Sequence, residues 1–232
     1  MKYIYHHLGL GDHIICNGLV RGLINPDEEY KMFVKPHNLI SVSFMFRDLK
    51  NIRFLIGDDI YAKNYIINNN INRGDLIVAG FYTHPKSKSF DESFYLQNNL
   101  KFTDRWDNFY VSRDSEKENN LFNHFNLKKG EYIFIHDDKS RNYIVEDNSI
   151  ENRNNLKIIR PIKGLTENVF DYCEIISGSY SSHFIDSSFR LMCDSLSLKT
   201  ENIYYHLTMK DGIKRNFNSF DNSISKLNFN II

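Results

Sequence analysis

The sequence predicts an α/β protein with two lobes, each built on a largely parallel β-sheet. Short β-prone runs alternate with helix-patterned segments from the first residues to about residue 206, and this alternation is typical of βαβ units. The pattern stops and restarts near residues 113–130. The apolar content, 41% of 232 residues, suffices for two small cores. We therefore predict an N-terminal lobe, residues 1–115, and a C-terminal lobe, residues 116–232.

In the first lobe, four β-prone runs are separated by helical patterns or turns. The first run is followed by a glycine turn and then by Ile15, Leu19 and Leu23 at helical spacing. A second helix is predicted over residues 39–49, and residues 81–113 are predicted as a loop with a short helix. The predicted strands are residues 3–5, 31–34, 52–56 and 75–80.

The second lobe repeats the layout after a helix over residues 115–125. We predict a helix over residues 167–176 with Thr166 as its N-cap, and another that begins at Asp186-Ser187-Ser188 and continues to Leu196. The tail beyond residue 206 is polar. The predicted strands are residues 131–136, 142–145, 156–159, 182–185 and 202–206.

Charge and composition exclude several classes of partner. Lys plus Arg and Asp plus Glu are 29 each, so the net charge is zero, which argues against nucleic acid and against a strongly anionic membrane surface. No apolar run approaches the ~20 residues that span a bilayer, and no signal peptide is recognised. The three cysteines match no zinc motif. We expect a cytoplasmic protein with reduced thiols.

The turn Gly9-Leu10-Gly11-Asp12 lies between a predicted strand and a predicted helix. Glycines let the backbone approach a ligand, and the N-terminus of a helix favours anions and polar oxygens. The loop is neither a dinucleotide fingerprint, since position 14 is Ile, nor a phosphate-binding loop with Gly-Lys-Ser/Thr. Asp12 therefore has two interpretations, a helix N-cap or a catalytic carboxylate.

Three histidines accompany this loop and raise the question of a metal. His6 and His7 are neighbours in a predicted strand, so their side chains point to opposite faces. That arrangement disfavours a shared ion, although one of the two can point into a cleft. A metal-dependent hydrolase using His6, His13, Asp12 and His136 stays open as an alternative.

Two stretches resemble a known family. Residues 8–14, LGLGDHI, after a short N-terminal strand, and residues 173–196, with a small polar turn before a helix, resemble the GT-B glycosyltransferases of the heptosyltransferase type. The resemblance implies two Rossmann-like lobes with parallel sheets facing a cleft, and a nucleotide-sugar donor on the second lobe. It implies Asp12 as the catalytic base. Gly9, Gly11 and His13 of the same loop are candidates for substrate binding.

The second lobe offers further candidates for donor binding. The helix start at Asp186, Ser187 and Ser188 is suited to a diphosphate, or is an ordinary capped helix. Lys139 and Arg141 follow a strand and either neutralise the leaving diphosphate or belong to a charged surface turn. The remaining candidates, for contacts to phosphate, ribose or the donor sugar, are His136, Glu167 and His183.

Taken together, these features predict a glycosyltransferase of polysaccharide biosynthesis that transfers a sugar from a nucleotide-sugar to a glycan or glycolipid, with inversion. No metal cofactor is expected if the helix start and Lys139 or Arg141 offset the charge of the diphosphate. The acidic pairs Asp58-Asp59 and Asp137-Asp138 lack the D-x-D spacing, which weakens the alternative of a metal-dependent GT-A enzyme. Two rivals remain, the metal-dependent hydrolase and a non-catalytic module that binds nucleotides or sugars.

Overall fold

A computed structural model describes residues 1–151, 155–200, 202–207 and 225–232. The chain divides into two compact units, Met1–Ser112 and Arg113–Ile232. Each unit contains one parallel β-sheet with helices, so the predicted α/β fold with two parallel sheets is confirmed.

The first unit has a four-stranded sheet in the order β3-β2-β1-β4. All its neighbouring strands are parallel, and Ile4 of the first strand pairs with Met32 on one side and Ile77 on the other. The chain leaves β1 toward β2 and later returns to its other side, so the order of strands reverses between β1 and β4. In such sheets ligands bind outside the carboxyl ends of the strands at this switch point. The strands are β1 (Lys2–His6), β2 (Tyr30–Val34), β3 (Ile52–Ile56) and β4 (Leu76–Ala79).

Helices follow the strands of the first unit as crossover connections. The helix predicted after the glycine turn is divided at Cys16 into two short helices. The helices are α1 (Leu10–Ile15), α2 (Asn17–Leu23), α3 (Leu39–Met45), α4 (Asp59–Asn68), α5 (Phe90–Leu96) and α6 (Asp104–Asp107), with short 3-10 helices at Pro36–Asn38 and Arg73–Asp75.

The second unit has a five-stranded sheet in the order β6-β5-β7-β8-β9, and its switch point lies between β5 and β7. All neighbouring strands are again parallel. The strands are β5 (Tyr132–His136), β6 (Lys157–Ile159), β7 (Ser181–Phe184), β8 (Asn202–Tyr205) and β9 (Asn230–Ile231). The helices are α7 (Ser115–His124), α8 (Cys173–Ser177) and α9 (Ser188–Ser195), with 3-10 helices at Lys139–Arg141, Asp147–Ser149 and Val169–Tyr172.

Several element predictions are wrong. Residues 142–145 form no strand; Tyr143 makes only an isolated bridge to Asp138, while Val145 packs into a core cluster. The helix predicted over residues 167–176 is a 3-10 turn followed by α8, and its N-cap is Asn168, whose side chain accepts from the Phe170 N–H, rather than Thr166. Helix α4 and strand β9 were not predicted. Within the described ranges, no helix has the length and apolar character needed to cross a membrane.

Candidate functional site

Asp12 lies at the carboxyl edge of the first sheet, close to the switch point. The N-cap of α1 is Gly9, Gly11 is the second helical residue, and Asp12 is the third. In a capping box, this is the position whose side chain turns back toward the N–H of the N-cap residue. A Cβ at Gly9 would stand 2.5 Å from Asp12 Oδ2. The glycine thus leaves the space that the carboxylate occupies.

The surroundings of Asp12 disfavour its charge. Burial raises the pKa of the Asp12 carboxyl to about 6, His7 lowers it, and Asp91 raises it further. No Lys or Arg forms an ion pair with Asp12 among the residues that the structure describes. A carboxyl that titrates near neutrality is suited to accepting a proton as a general base.

The three histidines near the loop have different neighbours. His6 and His13 are buried and pack ring against ring at 4.4 Å. Burial lowers the pKa of His6 to about 4 and that of His13 well below its usual value, so both are neutral at pH 7. His13, predicted to contact substrate, is therefore enclosed in the first unit. His7 is only partly buried, and its Nε2–H donates to the Gly80 carbonyl at 2.7 Å.

The residues named for the alternative metal site do not form one cluster. His136 belongs to the second unit. Over the described ranges, the structure contains no group of three or more His, Cys, Asp or Glu side chains placed to share a metal ion.

The second unit has a cavity of about 700 Å³ at the carboxyl ends of β5 and β6. Its volume falls in the usual range for a small-molecule site. The cavity brings together three of the predicted donor-binding residues, His136, Lys139 and Glu167. It is also lined by Asp137, Asp138, Arg160–Lys163, Thr166, Asn168, Val169, Tyr172 and Phe189.

Ion pairs organise the charges around this cavity. Asp137, with a buried side chain, pairs with Arg160 at 3.2 Å, and Arg160 also pairs with Asp147 at 2.6 Å. Arg141, predicted to reach the diphosphate, pairs with Asp138 at 2.7 Å and is half exposed. Of the lining cations, Lys139 and Lys163 have no ion-pair partner in the described part of the chain.

His136 forms one wall of the cavity. Its ring stacks on Phe189 with centroids 4.2 Å apart. Burial lowers the pKa of His136 to about 4, so at pH 7 the ring is neutral and can donate or accept one hydrogen bond but supplies no positive charge.

The predicted helix start at residues 186–188 is present. Two of its side chains, Asp186 and Ser187, already make contacts within α9. Ser187 is the N-cap of α9, and its Oγ accepts from the Arg190 N–H; Ser188 is the first helical residue. Asp186 pairs with the buried Arg190 at 3.0 Å. Phe189 of the same turn lines the cavity, so α9 begins beside it.

His183 lies elsewhere in the second unit. Its ring is hydrogen-bonded to Ser181 and His206 and stacked on Tyr204, and it lines a separate cavity of about 500 Å³. Burial lowers the pKa of His183 to about 3. The structure therefore does not bring His183 together with His136 and Lys139.

Sequence reasoning missed Asp91, which acts on the pKa of Asp12, and Gly80, whose carbonyl accepts a hydrogen bond from His7. Asp91 and Gly80 are far from Asp12 along the chain, and no local motif connects them with the loop. The one available signal was the position of Gly80 directly after the clearest strand of the first half.

No family model and no curated protein sequence matches the chain. Among solved structures, the chain is similar to E. coli heptosyltransferase WaaC with ADP, with a TM-score of 0.47 and 9% sequence identity, over 90% of this chain and 88% of that chain.

Proposed function

We propose that the protein is a glycosyltransferase that moves a sugar from a nucleoside-diphosphate sugar to a hydroxyl of a glycan or glycolipid. The observation that carries the proposal is Asp12, a partly buried carboxyl with a pKa of about 6 at the switch-point edge of a parallel sheet. A general base for a hydroxyl acceptor needs such a position and such a titration range.

In the proposed reaction, Asp12 takes the proton of the acceptor hydroxyl while that oxygen attacks the anomeric carbon. The bond between this carbon and the diphosphate oxygen breaks in the same displacement, so the anomeric centre is inverted. The second unit binds the donor in the cavity at the ends of β5 and β6. Lys139, Lys163 and the amides at the start of α9 offset the charge of the departing diphosphate without a metal ion.

The test begins with binding. Thermal unfolding of the chain is followed with GDP, UDP, ADP, CMP and their sugars, with and without a divalent ion, and the nucleotide that raises the melting temperature identifies the donor class. Transfer is then measured with that donor for the parent chain and for Asp12→Asn.

We expect Asp12→Asn to lose about 10²- to 10⁴-fold in kcat, the usual contribution of a general base, while nucleotide affinity is retained. The matched control is Asp27→Asn, an exposed acid of the same unit. Equal rates in Asp12→Asn and the parent would refute the role of Asp12. Turnover that a chelator abolishes would favour the metal-dependent hydrolase. Nucleotide binding without turnover would favour the non-catalytic binding module.

A further inference from the structure

We propose that Phe81 and Phe90, with the His7 ring in contact with both, form an aromatic platform on which a sugar ring of the acceptor stacks. The role of this sugar as acceptor rests on the proposed function, whereas the stacking itself can be measured without any transfer reaction.

The aromatic platform lies at the edge of the first sheet where its strands end. His7 is the residue directly after β1, and Phe81 is the second residue after the neighbouring strand β4. Phe90 is the first residue of α5, the helix that follows β4. Since ligands of parallel sheets bind outside this edge at the switch point, three segments of the chain bring aromatic rings to the place where a ligand is expected.

The platform rings are held by other rings beneath them. Tyr5 and His7 are two residues apart, so their side chains leave the chain on the same side. Phe81 packs against both, with centroid distances of 4.6 and 4.9 Å. Phe90 packs against His7 at 5.7 Å and against the buried Phe94 at 4.7 Å. Rings held in this way lose little conformational freedom when a ligand stacks on them.

Gly80 makes the space for this arrangement. Its φ is +91°, and a Cβ at this position would stand 2.6 Å from His7 Cδ2 and 2.8 Å from Phe94 Cε1. The Nε2–H of His7 donates to the Gly80 carbonyl at 2.7 Å. Only glycine combines that backbone conformation with the absence of a side chain, so the position of the platform is built into the fold.

The platform keeps part of its surface open. Phe81 is 40% exposed and Phe90 is 50% exposed. A single exposed apolar side chain is ordinary, but two aromatic rings joined through a third form an apolar patch, and such patches at the mouth of a site mark binding surfaces.

A sugar on the platform would lie beside the candidate base. His7 and Gly9 are two residues apart in the chain, a distance of at most about 7 Å. A Cβ at Gly9 would stand 2.5 Å from Asp12 Oδ2. A ring stacked on the platform is therefore close enough to present one of its hydroxyls to the Asp12 carboxylate.

The chemistry of the platform fits a sugar ring. A pyranose is close to a phenyl ring in size, and the C–H groups of one face form an apolar surface while the hydroxyls stay at its rim. These hydrogens carry a small positive charge, and the face of an aromatic ring is negative. An open-chain polyol has no such flat face. The inference therefore narrows the acceptor to a hydroxyl on a sugar ring.

A membrane surface fits the platform less well. Lys86 and Lys88 are exposed in the segment between the two phenylalanines, and basic residues with aromatic residues also occur on surfaces that bind anionic lipid. However, about half of each platform ring is covered, and α5 has only seven residues. Rings that lie against the protein offer a flat face to a ligand rather than a side chain that projects into a bilayer.

The experiment measures binding by saturation-transfer NMR. The probes are the methyl glycosides of glucose, galactose, mannose and N-acetylglucosamine, with glucitol and ribitol as open-chain controls. We expect at least one glycoside to receive saturation at the C–H groups of one ring face and the two polyols to receive none. Absence of a signal for every glycoside, or equal signals for the polyols, would overturn the inference.

Variants assign the signal to the platform. Phe81→Leu keeps an apolar side chain but removes the aromatic face, so we expect the half-saturating glycoside concentration to rise about threefold to tenfold. Phe81→Tyr keeps the face and should bind like the parent. Tyr110→Leu is the matched control, since Tyr110 is a 52% exposed aromatic residue of the same unit. Phe90→Leu provides a second test if Phe81→Leu does not fold, and equal binding by the parent and the folded leucine variants of the platform would refute the proposal.

Two further measurements separate the inference from its rivals and from the proposed function. With the best glycoside as acceptor, Phe81→Leu should raise the acceptor KM by the same factor and leave the donor KM unchanged. Absence of transfer by the parent would count against the proposed function, while the NMR result would still decide the stacking. Cosedimentation with phosphatidylcholine–phosphatidylglycerol vesicles that is lost in Phe81→Ser, without a glycoside signal, would assign the platform to a membrane and overturn the inference.

Discussion

The two parallel sheets carry acidic residues at equivalent edges, but the surroundings of these residues differ in whether they include a basic ion-pair partner. In the first unit, Asp12 has no basic ion-pair partner among the described residues, and burial raises its pKa to about 6. In the second unit, Asp137 is paired with Arg160 and Asp138 with Arg141. An acid without a basic partner can exchange a proton near neutral pH, whereas an arginine-paired acid stays ionised and fixes the shape of a cavity.

The difference teaches that a strand-end position alone does not define a role. Both edges lie at or beside a switch point, where ligands bind in sheets of this kind. The presence or absence of a cation next to each carboxylate then separates proton transfer from binding. The proposed division of labour, with the base in the first unit and donor binding in the second, follows from this contrast.

The largest effect on stability is expected from breaking the ion pair between Asp137 and Arg160 in the second unit. Arg160→Gln removes the cation from Asp137, whose side chain is only 6% exposed, and leaves an unpaired carboxylate in a nearly buried position. We expect a loss of about 3 kcal/mol in the free energy of unfolding, because breaking such a pair exposes its full desolvation cost.

The control for this change is Arg141→Gln, which removes a pair between two partly exposed side chains, 51% and 29% exposed. Exposed pairs contribute less than about 1 kcal/mol. Urea unfolding of both variants measures the difference. Equal losses of unfolding free energy in the two variants would show that the buried ion pair of Asp137 contributes no more than the exposed pair of Asp138. The contrast with Asp12 would then fail.

A smaller effect, on kcat, is expected when the space beside the Asp12 carboxylate is filled. In Gly9→Ala, the new Cβ would meet Asp12 Oδ2 at 2.5 Å. The carboxylate is the end of a side chain and can turn away, so stability changes little, but the base moves from its position. We expect kcat to fall about 10²-fold, equivalent to about 2.7 kcal/mol, as displacements of about 1 Å do.

Gly74→Ala is the matched control, because a Cβ at Gly74 meets nothing within 4 Å. Sugar transfer and thermal unfolding are measured for both variants. A Gly9→Ala chain with the transfer rate of the parent would show that the exact position of the Asp12 carboxylate does not matter.

Much of the fold was predictable because its signals are local. The β-prone runs that became β1, β2, β3 and β5 are continuous in sequence, and the turn that precedes Asp12 is defined by Gly9 and Gly11. Helix α4 was missed because its apolar residues do not follow one face; Ile60 and Ile67 are exposed and only Ala62 is buried. Residues 142–145 looked like a strand because Val145 is a core residue, yet it packs beside the sheet rather than in it.

The chemistry of the candidate site was less predictable because it depends on distant pairs. Asp91 acts on Asp12 from helix α5, and Arg160 reaches Asp137 from the end of another strand. Neither partner has a fixed spacing in sequence. Arg141 was predicted to meet a phosphate for a different reason. Its partner Asp138 lies only three residues away, but the ion pair depends on the shape of the turn between them.

The last predicted effect concerns the free-energy cost of keeping Asp12 ionised. Its pKa in the folded chain, about 6, lies above the ordinary aspartate value of 3.8, so the folded state binds more protons than the unfolded state between these two pH values. Stability therefore decreases as pH rises from about 4 to about 6, and the cost is fully present at pH 7.

Asp12→Asn removes this cost, because asparagine has nearly the shape of aspartate and carries no charge. We expect the variant to be more stable than the parent by about 3 kcal/mol at pH 7, with the difference vanishing near pH 4. Urea unfolding of both chains at pH 4, 5.5 and 7 measures this, and Asp27→Asn should show no such trend, since Asp27 is exposed. A variant less stable than the parent at pH 7 would assign Asp12 to helix capping. It would also remove the contrast between the two units, because a carboxylate kept for catalysis at a cost in stability should not stabilise its own fold.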